Sequence, residues 1–261
     1  MATVFVFLIS FIFLVNIKSK KTTSPKEIPS FQVILNQAKE YEEKSDLTSA
    51  KALYQKLINE FPNSEQIANW QKKLEEINMK LLFSPKVTAG SILYEIKPGD
   101  TLYKIAKEFN TTIELIMRMN NLKDERVYPG KKIKVYTQPF SIIIDKSENT
   151  LILKSNEEVF KTYIVSTGEN NSTPTGNFKI VNKIKNPTWY KTGAVVPPAS
   201  PENILGTRWL GLNIKGYGIH GTNDPKELGK SVTQGCIRMS NPDVEELYMI
   251  VPLGTEVTIV D

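Results

Sequence analysis

The sequence predicts three folded pieces in series: an N-terminal α-helical region, a small α+β unit of strand–helix–helix–strand order, and a mostly β C-terminal domain. Three observations carry this reading. Between residues 31 and 83 apolar side chains recur at helical spacing, as in Ala50, Leu53, Tyr54, Leu57 and Ile58. Within residues 91–137, the run YEIKPGDTLYKIAKEFNTTIELIMRMNNLKDERVYPGKKIKVY has a strand at each end and two helices between them. From 139 to 261, SIIIDKSENTLILKSNEEVFKTYIVSTG reads as two strands, a turn and a third strand, and the chain closes on the strand GTEVTIV. A chain of 261 residues has room for one or two domains plus smaller modules.

The chain opens on an apolar segment. Residues 1–17, MATVFVFLISFIFLVNI, are apolar apart from Thr3, Ser10 and Asn16. As a helix they would extend roughly 25 Å, at the short end of membrane-spanning length. An all-round apolar segment at the extreme N-terminus is expected to be a signal or an anchor, more than a core helix. It lacks a small-x-small cleavage site and a cysteine that could carry a lipid. Lys18, Lys20 and Lys21 open a polar linker, residues 18–30, and this charge order would by itself favour a cytoplasmic location for the rest of the chain. In 31–83 the turn residues Ser45–Asp46 and Pro62–Asn63–Ser64 divide the helical region into three helices. The pattern resembles one tetratricopeptide-type pair with a further helix. A single repeat buries little, so it either packs on a neighbour or partner protein, or serves as a spacer lifting the C-terminal domain off a membrane.

After a short Pro- and Gly-containing linker, PGDT offers Asp100 or Thr101 as a helix N-cap, and Asn110–Thr111–Thr112 starts the second helix. VYPGKKIKVY is a turn into an alternating strand. From about Tyr94 to Tyr136 this segment closely resembles a LysM module. The resemblance implies binding of glycan containing N-acetylglucosamine, along a shallow groove between the first strand–helix loop and the second helix–strand loop. By position Gly99, Asp100, Thr101 and Leu102 line one side, and Asn121 and Leu122 the other. Asp100 and Thr101 read equally as caps, and Leu102 and Ile105 as core.

The chemistry-bearing residues are scarce and close together. The only histidine, His220, and the only cysteine, Cys236, share the Gly-containing stretch IHGTNDPKELGKSVTQGCIRM. A cysteine does acyl transfer when a neighbouring base takes its proton. Gly221 and Gly235 let the chain turn tightly beside the two, with amide N–H groups available to a developing oxyanion. On the pair alone, a buried structural cysteine and a satisfied histidine are the blander alternative. One His and one Cys do not make a zinc site, so no metal is expected, and no cofactor is implied. A net charge of +5 without a dense basic run argues against nucleic acid. A single cysteine excludes an internal disulfide.

From about Phe140 to Asp261 three ordered blocks resemble the catalytic domain of the L,D-transpeptidases, cysteine enzymes that remodel bacterial peptidoglycan: the strand block SIIIDKSENTLILKSNEEVFKTYIVSTG, TPTGNF, and YGIHGT with TQGCIRMSNPDVEELY after it. The resemblance implies a mixed β sandwich or barrel. It implies Cys236 as nucleophile, His220 as general base and the Gly221 carbonyl as the acceptor that orients the imidazole. Amides around Gly235 and Cys236 would form the oxyanion hole. Arg238 would pair with a substrate carboxylate or hold its loop in shape, and Thr233 keeps the family's hydroxyl. Gln234 stands where many members carry a second histidine, which reads as tuning of the site. The implied reaction joins two stem peptides through a cysteine thioester, with L,D-carboxypeptidase action or a degenerate, non-catalytic wall-binding domain as the alternatives. Wall-directed chemistry outweighs the charge order after residue 17. The expectation is an extracytoplasmic enzyme held by an uncleaved anchor, with peptidoglycan as its partner.

Overall fold

The computed structural model describes residues 30–156, 158–198 and 200–261. The expected anchor and the start of its linker lie outside the described residues. Three helices come first: α1 (Phe31–Glu43), α2 (Leu47–Glu60) and α3 (Ile67–Phe83). The turn at Ser45–Asp46 works as its residue types suggest. Ser45 takes a left-handed φ of 58°, and the Asp46 carboxylate accepts from the Ser49 amide at 3.3 Å to cap α2. Ile34, Ala38, Ala50, Tyr54, Leu57, Trp70 and Ile77 form the core of this region.

The βααβ unit comes next as β1 (Ser91–Glu95), α4 (Leu102–Glu108), α5 (Ile113–Met119) and β2 (Lys132–Tyr136), with β1 and β2 antiparallel. Thr101 Oγ1 caps α4 through the Lys104 amide (3.2 Å), and Thr112 Oγ1 caps α5 through the Leu115 amide (2.9 Å). Each cap meets one of the otherwise unpaired N–H groups of a helix start.

The C-terminal domain is built from β3 (Phe140–Asp145), β4 (Thr150–Ser155), β5 (Glu158–Ile164), β6 (Thr167–Gly168), β7 (Gly176–Lys185), β8 (Trp189–Lys191) and β9 (Ala194–Val196). It continues through β10 (Arg208–Leu212), β11 (Gly218–His220), β12 (Ser231–Thr233), β13 (Ile237–Arg238), helix α6 (Asn241–Ile250) and β14 (Glu256–Val260). Eight strands form one mixed sheet in the order β13-β11-β10-β7-β14-β3-β4-β5. The final strand enters the middle of it, parallel to β3 and antiparallel to β7. Past β5 the chain returns to the other edge, where Ser166 and Arg238 exchange both backbone hydrogen bonds at 2.8 and 2.9 Å. The sheet therefore curls until its two edges nearly meet, barrel-like around Ile142, Leu153, Ile180, Leu210, Ile219 and Val257.

The three pieces pack on one another. Asn78 Nδ2 in α3 donates to the Val159 carbonyl (3.2 Å), and Lys51 and Gln55 in α2 both reach Glu158 of β5. The neighbour that the helical region covers is thus the chain's own β domain. Lys134 of β2 is buried, and its ammonium donates to the carbonyls of Leu81 (2.7 Å), Leu82 (3.2 Å) and Ser84 (3.0 Å) at the end of α3. A cation there meets the last carbonyls of the helix, of which Leu81 also accepts from Ser84, and the negative end of the helix dipole.

Candidate active site

The mixed sheet brings the two scarce residues together. β11 and β13 are parallel neighbours with Ile219 opposite Ile237 and His220 opposite Arg238. Cys236, one residue before β13, then lies alongside Gly218. Side chains two apart on a strand share a face, so Cys236 and His220 face the same side of adjacent strands, one diagonal step apart.

His220 is 2 % exposed, and its ring stacks on Trp209 with centroids 5.9 Å apart at 16°. Its Nδ1 lies 2.6 Å from the Gly221 carbonyl oxygen. A carbonyl only accepts, so Nδ1 carries the proton and Nε2 is left as the basic nitrogen. Burial pushes the imidazole pKa down to about 4; the Gly221 carbonyl opposes this, and the Arg238 charge adds to it. Cys236 is half-buried, and burial raises its thiol pKa, with the Gly218 backbone hydrogen bond and Arg238 pulling the other way. These shifts favour the uncharged forms at neutral pH: a thiol that donates to the Gly216 carbonyl at 3.5 Å, and an imidazole one diagonal step away on the neighbouring strand.

The turn before Cys236 is locked from two sides. Gly235 has φ +119°, and a Cβ there would come within 2.7 Å of Tyr217 Cε1 and 2.9 Å of the Ser172 carbonyl oxygen. Thr233 Oγ1 accepts from the Gly235 amide (3.1 Å) and donates to the Cys236 carbonyl (2.6 Å). The Gly235 amide is thus already engaged, while the Cys236 amide has no protein acceptor among the described residues. Arg238 Nη1 pairs with Glu227 Oε2 at 2.9 Å, the loop-holding arrangement, and its Nε is buried without a partner. Gln234 is exposed. The sequence reading did not single out Thr173, which is fully buried. Its Oγ1 accepts from the Gly168 amide (2.7 Å) and donates to the Gly235 carbonyl (2.9 Å), tying TPTGNF to the Gly–Cys turn. Its signal was the block itself, since a small hydroxyl residue in a Pro/Gly turn suits such bracing.

In the βααβ unit, Asp100 accepts from the Lys97 amide (2.8 Å) and the Tyr94 hydroxyl (2.9 Å), Thr101 is a cap, and Leu102 is 1 % exposed in the core. Gly99 and Asn121 are exposed with left-handed φ of 85° and 52°, and Leu122 packs partly on the core. The two loops adjoin where Gly130 N donates to the Ile96 carbonyl at 2.8 Å. Exposed Tyr103 and Tyr128, which the sequence reading passed over, stand beside them. Among the described residues no three His, Cys, Asp or Glu side chains cluster as metal ligands, and no helix is long and apolar enough to cross a membrane.

Comparison with known proteins matches residues 139–259 to the L,D-transpeptidase catalytic domain (YkuD) and residues 94–135 to the LysM domain. YkuD of Bacillus subtilis strain 168, whose name assigns it to the L,D-transpeptidases, is 39 % identical over 175 residues, covering 64 % of this chain and 98 % of that protein. YkuD of Bacillus licheniformis is 39 % identical over 176 residues, with the same 64 % and 98 % coverage. YqjB of Bacillus subtilis is 40 % identical over 126 residues, 46 % of this chain and 70 % of that one. Among solved structures, an L,D-transpeptidase from Mycobacterium smegmatis aligns at 21 % identity with a TM-score of 0.40, covering 51 % of this chain and 64 % of that one. With near-full coverage of YkuD relatives and a LysM domain ahead of the matched region, the chain belongs to the L,D-transpeptidase family.

Proposed function

We propose that this protein cross-links peptidoglycan stem peptides through a thioester on Cys236. Cys236 Sγ attacks the carbonyl carbon of the third, diamino-acid residue of a donor stem, and the thiol proton passes to His220 Nε2. The tetrahedral oxyanion is met by the free Cys236 amide. Collapse breaks the C–N bond, and the imidazolium returns its proton to the departing D-amino acid. An amine of a second stem then attacks the thioester, hands its proton to His220, and expels the sulfur, which regains the proton. The observation that carries this reading is the 2.6 Å contact from His220 Nδ1 to the Gly221 carbonyl, which fixes the tautomer that general-base action needs. Gly235 serves by allowing the turn, Thr233 and Thr173 by holding it, and Arg238 by bracing the loop against Glu227. The LysM domain concentrates the enzyme on its polymeric substrate, with Gly99, Asn121 and the aromatic faces of Tyr103 and Tyr128 as the glycan contacts. The setting is extracytoplasmic, with residues 1–17 as the anchor.

Mass spectrometry of stem-peptide products after incubation with purified protein tests this. Cross-linked dimers with loss of a terminal D-amino acid are expected, and none from Cys236→Ala. Shortened stems without dimers would make the enzyme an L,D-carboxypeptidase, and unchanged stems would make the domain a non-catalytic wall binder.

A further inference from the structure

Asn241 explains something that the histidine's own hydrogen bond does not: what holds the Gly221 carbonyl in place. The backbone around His220 is secured by the sheet. Gly221 N donates to the Arg208 carbonyl (3.2 Å) and Met239 N to the His220 carbonyl (2.8 Å). The Gly221–Thr222 peptide is the first unit beyond that ladder, and a glycine at its start leaves its plane free to rotate. Its N–H donates to Asn241 Oδ1 at 3.2 Å. A trans peptide is planar, with N–H and C=O pointing opposite ways. Holding the Thr222 N–H on one side therefore aims the Gly221 C=O to the other, where it receives His220 Nδ1–H.

The same oxygen also accepts from the Thr207 amide at 3.1 Å, so Asn241 joins the chain entering β10 to the chain leaving β11. The packing is close enough to dictate both neighbours. A Cβ on Gly206 or on Gly221 would stand 2.2 Å from Asn241 Oδ1. Asn241 itself is anchored as the first residue of α6, where Ser240 Oγ caps the helix through the Asp243 amide (3.2 Å).

We propose that Asn241 is a positioning residue for catalysis, clamping the Gly221–Thr222 peptide so that its carbonyl selects the Nδ1–H tautomer of His220. The proposal rests on the reading of His220 as the general base. Donation from Thr222 N–H to a fixed acceptor further polarises the peptide and strengthens its carbonyl as an acceptor. Without the clamp the peptide can turn, and the imidazole loses its orientation and its preference for one tautomer.

The chain has a single histidine, so ¹⁵N-histidine labelling reports His220 alone. The wild-type spectrum should show the neutral Nδ1–H tautomer at neutral pH. Asn241→Ala should show a mixture of tautomers and a turnover lower by about ten- to hundredfold with KM little changed. That loss is smaller than the about 10²–10⁴ that general-base assistance supplies. Asn241→Asp keeps an acceptor oxygen in place and should keep the Nδ1–H tautomer. Its added negative charge should raise the His220 pKa, against the Arg238 charge that lowers it. Should the alanine variant unfold, Asn241→Ser withdraws the oxygen from reach while keeping a small polar residue at the helix start. It should show the same mixture. A wild-type-like tautomer in a folded Ala or Ser variant overturns the clamp while leaving the base role intact. A wild-type protein without the Nδ1–H tautomer, or full turnover in His220→Gln, overturns the base role itself.

Discussion

Mild acid should destabilise the folded protein through His220, because burial lowers the imidazole pKa. The side chain is 2 % exposed and its pKa is pushed from the ordinary 6.5 to about 4, first by burial. In the unfolded chain the imidazole regains its ordinary value. Above that value both states leave it neutral, and the histidine adds no pH dependence. Between the two values the unfolded chain takes up a proton that the folded protein refuses, so stability falls as pH falls. Below about 4 both states are protonated and the loss is complete. Each pH unit of separation corresponds to about 1.4 kcal/mol, so the full loss is about 3 kcal/mol, and about 2 kcal/mol is lost between about pH 7 and about pH 5. Other groups titrate in acid too, so the measurement is a comparison. Equilibrium urea melts of wild type and His220→Gln at the two pH values cancel contributions common to both. The wild type should lose about 2 kcal/mol more than the variant on acidification. Equal losses would mean that His220 takes up its proton in the folded state at its ordinary pKa, and the lowered imidazole pKa would be refuted.

Alkylation of Cys236, the only thiol, should show an inflection above that of an ordinary cysteine, because burial holds the proton on. A thiolate plateau at neutral pH would contradict it. Gly235→Ala places a Cβ against Tyr217 and the Ser172 carbonyl at positive φ; it should cost about 1–3 kcal/mol in thermal or urea melts and displace the thiol enough to abolish turnover. Lys134→Met leaves the Leu82 and Ser84 carbonyls at the end of α3 without this donor, while Leu81 keeps Ser84, and melts should show a loss of about 2–4 kcal/mol with product chemistry retained at low temperature. Tyr103→Ala with Tyr128→Ala should weaken co-sedimentation with purified sacculi while leaving acylation of Cys236 by a carbapenem, read by intact mass, unchanged; undiminished sedimentation would place the glycan contacts elsewhere.

Much of the site was legible because its signals are local or scarce. Caps such as Asp46, Thr101 and Thr112 bond an amide three residues on, so their spacing already states the contact. A lone histidine and a lone cysteine in one Gly-containing stretch left few alternatives, and the order of the three blocks supplied the family. The strand alternation of β3 to β5 likewise reads directly from residues 140–164. Position alone suggests six residues for the glycan groove, and Asp100, Thr101 and Leu102 read from the sequence also as caps or core. The structure uses them for a turn, a cap and the core.

What only the tertiary structure decided are the contacts between segments far apart in the chain. Short-range composition does not encode that β14 enters between β7 and β3, or that Ser166 meets Arg238 and nearly closes the sheet. The bond from the Gly235 amide to Thr233 depends on a turn shape set by Tyr217, Ser172 and Thr173 from outside the turn. That Arg238 meets Glu227 could not be read from its position, because Glu227 reaches it only once β11 and β13 are side by side. The docking of the helical region on β5 and the grip of Asn241 on Thr207 and Thr222 are of the same kind. The sequence by itself determined which residues could do the chemistry and which segments would be helix or strand, because propensity, capping and scarcity act over a few positions. Their mutual orientation came from long-range register and close packing, where a single side-chain oxygen or a missing Cβ selects among backbone arrangements that the local sequence leaves equally open.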